Sequence, residues 1–402
     1  MVLYFAHPNA TLNMSQKKEK RVIILQIIPS LISGGSERGC LEIAQGLSQA
    51  GHKNHIITQY ICPSITIPPL TTVHLLPVAS KNPLTIIKNA WRIKKTAQQF
   101  NVDLLHARSR APAWSTLLTS FLTQKPYIST CHGCYRASYK LKRWYNRAIT
   151  TYPRHIIATS TTVKQYINDF YPKSLNKTTV VNRGIDRSTF DPSLITETQK
   201  QKWLQQHHLD ANRPILLIPG RYTRGKGQYL VIQALASLKH KGVQAVFCGK
   251  IQDENYFNDL KNMADKHHVS ADIRLLNTIP SLPVAYSIAD ITICPSTQNE
   301  AFGRVPIEAA IMGSTALASK HSGFLETIVE HKTGFFFANE DAHSLAASIQ
   351  HILALSQHDR SVIQKQATNH INQHYCGENM VKQTFNIYNK CLIKAPVRSS
   401  HQ

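Results

Sequence analysis

Arg21-Val-Ile-Ile-Leu-Gln-Ile-Ile28 is an apolar run of strand length, and its surroundings decide the fold. A strand buried on both faces of a parallel sheet reads as a continuous apolar run, not an alternating one. The loop Ser30-Leu-Ile-Ser-Gly-Gly-Ser36 follows it. From Glu37 to Ala50 the apolar positions Leu41, Ala44 and Leu47 share one helical face, and Gly51 supplies a C-terminal cap. His55-Ile-Ile-Thr58 is the next strand.

The same alternation continues along the chain. Val102–His106, Tyr127–Thr130, His155–Thr159 and Thr179–Val181 read as strands, with helices over Ala113–Leu122 and Thr161–Phe170. A polar, strand-poor stretch around 193–212 reads as a connection between domains. The pattern then restarts. Pro214–Pro219 is a buried strand, Gly220–Gly227 a glycine-rich loop and Tyr229–Lys239 a helix. Gln244–Cys248, Ile273–Leu276, Ile291–Cys294, Ser314–Ala318 and Gly334–Phe337 are further strands. Strands alternating with helices mean an α/β protein with parallel sheets, here twice over. The expected division is a disordered tail (1–20), a first Rossmann-like domain (21–195), a linker (196–212) and a second Rossmann-like domain (213–375). A terminal helix (376–393) packing back on the first domain and a tail (394–402) complete it.

Composition narrows the class. At 402 residues the chain exceeds one ordinary core. Its 42% hydrophobic and 17% charged residues are those of a globular protein. No apolar run reaches the roughly 20 residues of a spanning helix, and residues 1–20 lack the apolar centre of a signal peptide. Cytoplasmic residence is the expectation. Cys131 and Cys134 form the one C-x-x-C among eight cysteines, with no second pair to hold zinc. Charge is uneven: residues 1–200 hold 26 Lys and Arg against 8 Asp and Glu, and residues 201–402 hold 20 against 15. A basic first half calls for an anionic partner, whether nucleic acid, an acidic membrane surface or a phosphorylated substrate.

Four features carry chemistry. Gly34-Gly35, between a strand and a helix, let backbone N–H groups approach a phosphate, or simply make a tight turn. Gly220-Arg-Tyr-Thr-Arg-Gly-Lys226 has the spacing of a phosphate-binding loop, but Gly227 stands where Ser or Thr would hold Mg²⁺. What remains is a basic loop whose Arg221 and Lys226 suit diphosphate oxygens. In Glu300-Ala-Phe-Gly-Arg-Val-Pro-Ile-Glu308, Phe302-Gly303-Arg304 begin a helix whose N-terminus favours an anion, with a carboxylate on either side. Those carboxylates make sense as acceptors from sugar hydroxyls; alone they read equally well as surface residues. His132 lies just past a strand end. After it comes a basic, aromatic stretch, Tyr135-Arg136 through Arg147, suited to an anionic lipid surface, an acidic acceptor or RNA.

Together these features resemble the retaining glycosyltransferases of family 4 (GT4 type), which have the GT-B fold: two Rossmann-like domains facing a cleft. The resemblance spans about residues 21–393. It rests on the order of Gly34-Gly35, His132, Gly220–Lys226, Ala289-Asp290, Pro295-Ser296, the E-x7-E pair Glu300 and Glu308, and Ser322-Gly323 before Glu326. It implies that Gly34, Gly35, Phe302 and Gly303 approach the donor, and that Arg221 and Lys226 neutralise the leaving diphosphate. It further implies that Glu300 and His132 contact the donor sugar and that Glu308 holds the ribose. The implied partners are a nucleotide-sugar donor, a lipid-linked or saccharide acceptor and an anionic membrane surface, with no metal, no other cofactor and no nucleic acid. Lipopolysaccharide-type envelope synthesis at the inner face of the cell membrane is the expected setting. A nucleotide-sugar epimerase or hydrolase on the same fold, or a basic nucleic-acid-binding protein, is the alternative. Three positions depart from the family pattern: Ala301 for glycine, Asn182-Arg183-Gly184 for Asn-Gly, and Lys250-Ile251 after Gly249.

Overall fold

The computed structural model describes residues 21–32, 34–135, 139–238, 242–278 and 281–393. The expected tails (1–20 and 394–402), Arg136 and Lys239 lie outside the described residues.

The first lobe runs β1 (Ile23–Ile27), α1 (Gly35–Gln49), β2 (Lys53–Thr58), β3 (Thr71–Leu75), α2 (Pro83–Gln99), β4 (Leu104–Ala107), α3 (Arg110–Thr123), β5 (Tyr127–Cys131), α4 (Lys140–Thr150), β6 (His155–Ala158), α5 (Thr161–Phe170) and β7 (Thr178–Val180). The second runs α6 (Glu197–Gln206), β8 (Ile215–Pro219), α7 (Gln228–Ser237), β9 (Gln244–Cys248), α8 (Glu254–Lys266), β10 (Ile273–Leu276), α9 (Leu282–Ile288), β11 (Ile291–Cys294), α10 (Arg304–Ile311), β12 (Thr315–Ser319), α11 (Phe324–Thr327), β13 (Phe335–Phe337), α12 (Ala342–Ala354) and α13 (Gln357–His374). A last helix, α14 (Gly377–Ile393), follows.

Both sheets are parallel, ordered β3-β2-β1-β4-β5-β6-β7 and β10-β9-β8-β11-β12-β13. In each, the direction of strand addition reverses beside the first strand, between β1 and β4 and between β8 and β11. Ligands bind at such switch points, beyond the carboxyl ends of the strands. Right-handed crossovers then sort the helices. On the first sheet, Ile43 and Leu47 of α1 and Met380, Ile387 and Tyr388 of α14 bury one face with Ile24 and Ile128. Ile93 of α2, Ala113 and Leu117 of α3 and Ile149 of α4 bury the other with Leu25 and Leu105. Burying one such side chain contributes about 1.5–3 kcal/mol.

One expectation needs correction and another is sharpened. The stretch 196–212 is not a loose linker: it carries α6, held by a capping box between Thr196 and Gln199. Trp203 of this helix is buried with Tyr286 and Ile307 in the second lobe's core, which a polar composition concealed. The helix expected to begin within Phe302-Gly303-Arg304 starts at the last of these, because Gly303 is left-handed at φ +79°.

The chain crosses between lobes at two points that touch. Ile185 N–H donates to the Tyr375 carbonyl at 2.8 Å and Ile185 pairs with Cys376. A Cβ on Gly184 would stand 2.3 Å from Gly377 Cα, so only glycine lets these two strands of chain pass.

Candidate functional site

Lys226 closes a short 3₁₀ turn (Arg224–Lys226) after β8. Gly227 follows with φ +67°, and a Cβ there would lie 1.9 Å from the Pro295 carbonyl oxygen. The residue that breaks the Mg²⁺-loop pattern is therefore demanded by backbone packing. The turn delivers Lys226 Nζ to Glu300 Oε1. Ser296 Oγ donates to the same oxygen at 2.7 Å. Burial raises the Glu300 pKa, but the charge and hydrogen bond of Lys226, with Ser296 and His321, outweigh it and hold the carboxyl below its ordinary value. Lys226, Ser296, Glu300, Gly303 and Arg304 line a cavity of about 40 Å³ at the start of α10.

Glu308 is 4% exposed and sits among donors. Arg304 Nε reaches its Oε1 at 3.1 Å, and Tyr286 Oη donates to Oε2 at 3.1 Å. Arg38 of α1 comes from the other lobe, with Nη1 at 3.4 Å. Opposite, Gly35 opens α1 directly across from Arg304: a Cβ on Gly35 would meet Arg304 Cδ at 3.5 Å. Glu42 is half-buried near Arg304 Nη2, at 3.9 Å, with both carboxylate oxygens buried and neither hydrogen-bonded. Burial, more than any neighbour, raises its pKa.

His132 does not project freely. Its Nδ1 faces Arg183 Nη2, while Arg183 Nη1 donates to the Gly35 carbonyl at 2.7 Å. A guanidinium only donates, so Nδ1 is the acceptor and the imidazole carries its proton on Nε2. Burial and then the Arg183 and Arg108 charges push the His132 pKa well below its ordinary value. Burial lowers the Arg183 pKa to about 9, still cationic at neutral pH. One buried Arg thus ties the Gly34-Gly35 turn to His132.

Of the residues singled out in the sequence, Lys226, Glu300, Gly303, Glu308 and Gly35 converge on the mouth between the lobes, and Gly34 caps α1 there. Phe302 is buried with Ile307 in the second lobe's core. Arg221 is not with them: it is exposed and donates to Gln252 Oε1 at 3.1 Å. Sequence reading missed Arg38, Arg183, Tyr286 and Arg304. Arg304 had a signal, since it lies four residues before Glu308 on one helix. Among the described residues no group of three His, Cys, Asp or Glu is arranged to hold a metal.

The lobes are also clasped. Glu326 of α11 accepts from Thr161 N at 2.8 Å, Thr162 N at 2.7 Å and Thr162 Oγ1 at 2.6 Å, so it caps α5 of the other lobe. Ser160 Oγ donates to the Ala301 carbonyl beside it. Losing a cap costs about 0.5–2 kcal/mol. Glu326→Ala is therefore expected to shift the lobes toward separation by about tenfold, seen as a larger radius of gyration in solution scattering; an unchanged profile would deny the clasp.

Comparison with known proteins bears on family and fold. Residues 33–189 match the family described as Glycosyltransferase Family 4, and residues 199–370 that described as Glycosyl transferases group 1. A solved glycosyltransferase from Rickettsia africae ESF-5 is 30% identical, superposes with a TM-score of 0.84 and is matched over 93% of this chain and 99% of its own. Anabaena Alr3699/HepE, solved with UDP and glucose, is 18% identical with a TM-score of 0.79 over 92% of this chain and all (100%) of its own. The glycosyltransferase MJ1607 of Methanocaldococcus jannaschii is 24% identical over 90% of this chain and 95% of its own. Two parallel α/β lobes of GT-B architecture, each matched by its own family model, make this chain a member of the group 1, family 4 glycosyltransferases.

Proposed function

We propose that the protein is a retaining, metal-independent glycosyltransferase that moves a sugar from a nucleotide-sugar donor to a lipid-linked or envelope-saccharide acceptor at the inner membrane face. The observation that carries the donor reading is the Lys226–Glu300 pair in the cavity at the start of α10. A cation, a carboxylate and a helix N-terminus in one small space suit a sugar joined to a diphosphate.

Breaking the sugar–phosphate bond leaves positive charge on the sugar carbon and a further negative charge on the diphosphate. Cations already in place stabilise that charge as it develops, without reorganising. Lys226 and Arg304 would serve the phosphate oxygens. Glu300 would accept from sugar hydroxyls and Glu308 from the ribose, displacing the long Arg38 contact. Gly34 and Gly35 would bring backbone close to the donor, and the neutral His132 would offer its Nε2–H to the sugar. Arg221, exposed beside Gln252, would reach the diphosphate only by a change of rotamer. The UDP and glucose bound by Anabaena Alr3699/HepE support uridine donors as the first to test.

The test is a thermal-shift screen against UDP-, GDP- and ADP-sugars with a chelator present. A ligand at a hundred times its Kd stabilises the fold by about 2.7 kcal/mol. One nucleotide class should raise the melting temperature by several degrees in the chelator. No shift with any class, or a shift only with added divalent metal, sinks the reading.

A further inference from the structure

The largest apolar side chains left in solvent are concentrated on one layer of the first lobe. Helices α2, α3 and α4 cover the same face of the sheet, with Leu25, Ile93, Leu117 and Ile149 beneath them. They are fastened to each other: Thr119 Oγ1 donates to the Ala90 carbonyl at 3.1 Å, Trp114 Nε1 to the Tyr145 carbonyl at 3.0 Å, and Trp114 stacks on Trp144. Their outward sides carry Leu84 (70% exposed), Ile87 and Trp91 on α2, Phe121 on α3, and Leu141 (76% exposed) and Trp144 on α4. Leu84, Ile87 and Trp91 follow i, i+3, i+7 spacing, so they form one stripe, opposite the buried Ile93 and Ala97.

The charge around this stripe has one sign. The three helices contain nine Lys and Arg and no Asp or Glu. Between residues 43 and 168 the only carboxylate side chain is Asp103, among sixteen Lys and Arg. Asp103 is spent at the start of β4, accepting from Ile23 N at 2.9 Å. Lys88, Arg92 and Lys95 flank the α2 stripe, and Lys94 lies over the Trp91 ring. Exposed Trp and Leu interleaved with Lys and Arg are what an interface between headgroups and acyl chains accepts: the rings and aliphatic ends enter, and the cations meet phosphates. Among the described residues no helix is long and apolar enough to cross a membrane.

We propose that the outer face of α2, α3 and α4 docks the protein on an anionic lipid bilayer. Charge complementarity selects this occupant. A second copy of the face would set nine cations against nine, and nucleic acid would leave Leu84, Trp91 and Leu141 without an apolar partner. The face borders the cleft, since α4 begins eight residues after His132 and Arg110, at the start of α3, lies over the Tyr135 ring. An acceptor anchored in the bilayer can then enter the cleft without leaving it. That use rests on the lipid-linked acceptor reading; the docking itself does not.

The experiment is flotation of the full chain with vesicles, without nucleotide sugar, so that it is independent of donor chemistry. Vesicles of about one-third phosphatidylglycerol in phosphatidylcholine should bind at least about tenfold more tightly than phosphatidylcholine alone, because each basic side chain near an anionic leaflet adds about fivefold. Leu84→Glu with Trp91→Glu should weaken binding at least about tenfold with an unchanged melting temperature, as these side chains are exposed. Lys88→Glu with Arg92→Glu tests the electrostatic half and should abolish the preference for anionic vesicles. Equal binding to both vesicle types, or wild-type binding by both variants, overturns the proposal. So does salt-sensitive RNA binding with no vesicle binding, or a solution dimer that the Leu84/Trp91 variant breaks.

Discussion

Lys226→Ala is expected to lower kcat by about 10²–10³ while leaving the folded state nearly as stable as before. The two magnitudes differ because the side chain does two jobs of unequal size. As a preplaced cation for a developing dianion, one such group is worth about 2.7–4 kcal/mol of barrier. As the partner of Glu300 it forms an ion pair whose side chains are 27% and 24% exposed, and pairs so open to solvent contribute about 0–1 kcal/mol. Single-turnover rates with a saturating donor separate chemistry from binding, and a wild-type rate there would remove Lys226 from the reaction. The acid limb should move as well. Glu300 is held below its ordinary pKa in the fold, so it contributes stability above about pH 4.3 that is lost as pH falls through its lower folded value. Losing Lys226 removes the two largest influences that lower it, so the carboxyl's pKa rises from its wild-type folded value. The variant should therefore unfold at a higher pH on the acid side than the wild type.

The sheets were legible because each central strand is buried on both faces and reads as a short apolar block. Gln244–Cys248, Ile273–Leu276 and Ile291–Cys294 have the bounds expected of them. β3 was not legible. Thr71-Thr-Val-His-Leu75 is an edge strand, half exposed and mostly polar, between prolines, and only its pairing with β2 makes it a strand. α2 also went unread, and it carries apolar side chains on both sides: Leu84, Ile87 and Trp91 outward, Ile93 and Ala97 inward.

The site divides along the same line. Glycines and carboxylates at loop positions announce themselves by spacing. Some of their partners do not, because those come from the other lobe. Arg38 lies 270 residues from Glu308, and Thr162 lies 164 from Glu326. Arg183 showed only as an extra residue in an Asn-Gly turn. Its meaning depends on Gly39, where a Cβ would stand 2.0 Å from Arg183 Nη1, so the helix α1 leaves room for the guanidinium. Fold follows from local periodicity; the electrostatics of a two-lobed cleft follow from long-range pairing that no window of sequence contains.

Glu308 is where that pairing is most costly to break. Glu308→Ala removes the acceptor for the Arg304 guanidinium, whose side chain is 13% exposed, and for Tyr286 Oη, in a residue 0% exposed. Deleting one partner of a buried charge pair costs about 3–5 kcal/mol, because the other charge stays buried and uncompensated. Against a total stability of about 5–15 kcal/mol this is a large share. The expected result is a sharp fall in melting temperature and in soluble yield, whatever Glu308 does for the donor. Glu308→Gln separates the two roles. The amide keeps the shape, one carbonyl oxygen for Arg304 Nε and an NH₂ that can donate to Tyr286 Oη, so part of the stability should return although the Arg304 charge stays unneutralised. It removes the charge that ribose hydroxyls would donate to, and hydrogen bonds to a charged group are worth about 1.5–3 kcal/mol. Nucleotide-sugar affinity should then fall by about 10–150-fold in a protein that still folds. A Glu308→Gln protein that binds nucleotide sugars as the wild type does would leave Glu308 as the acceptor that holds Arg304, Arg38 and α10 together, and nothing more.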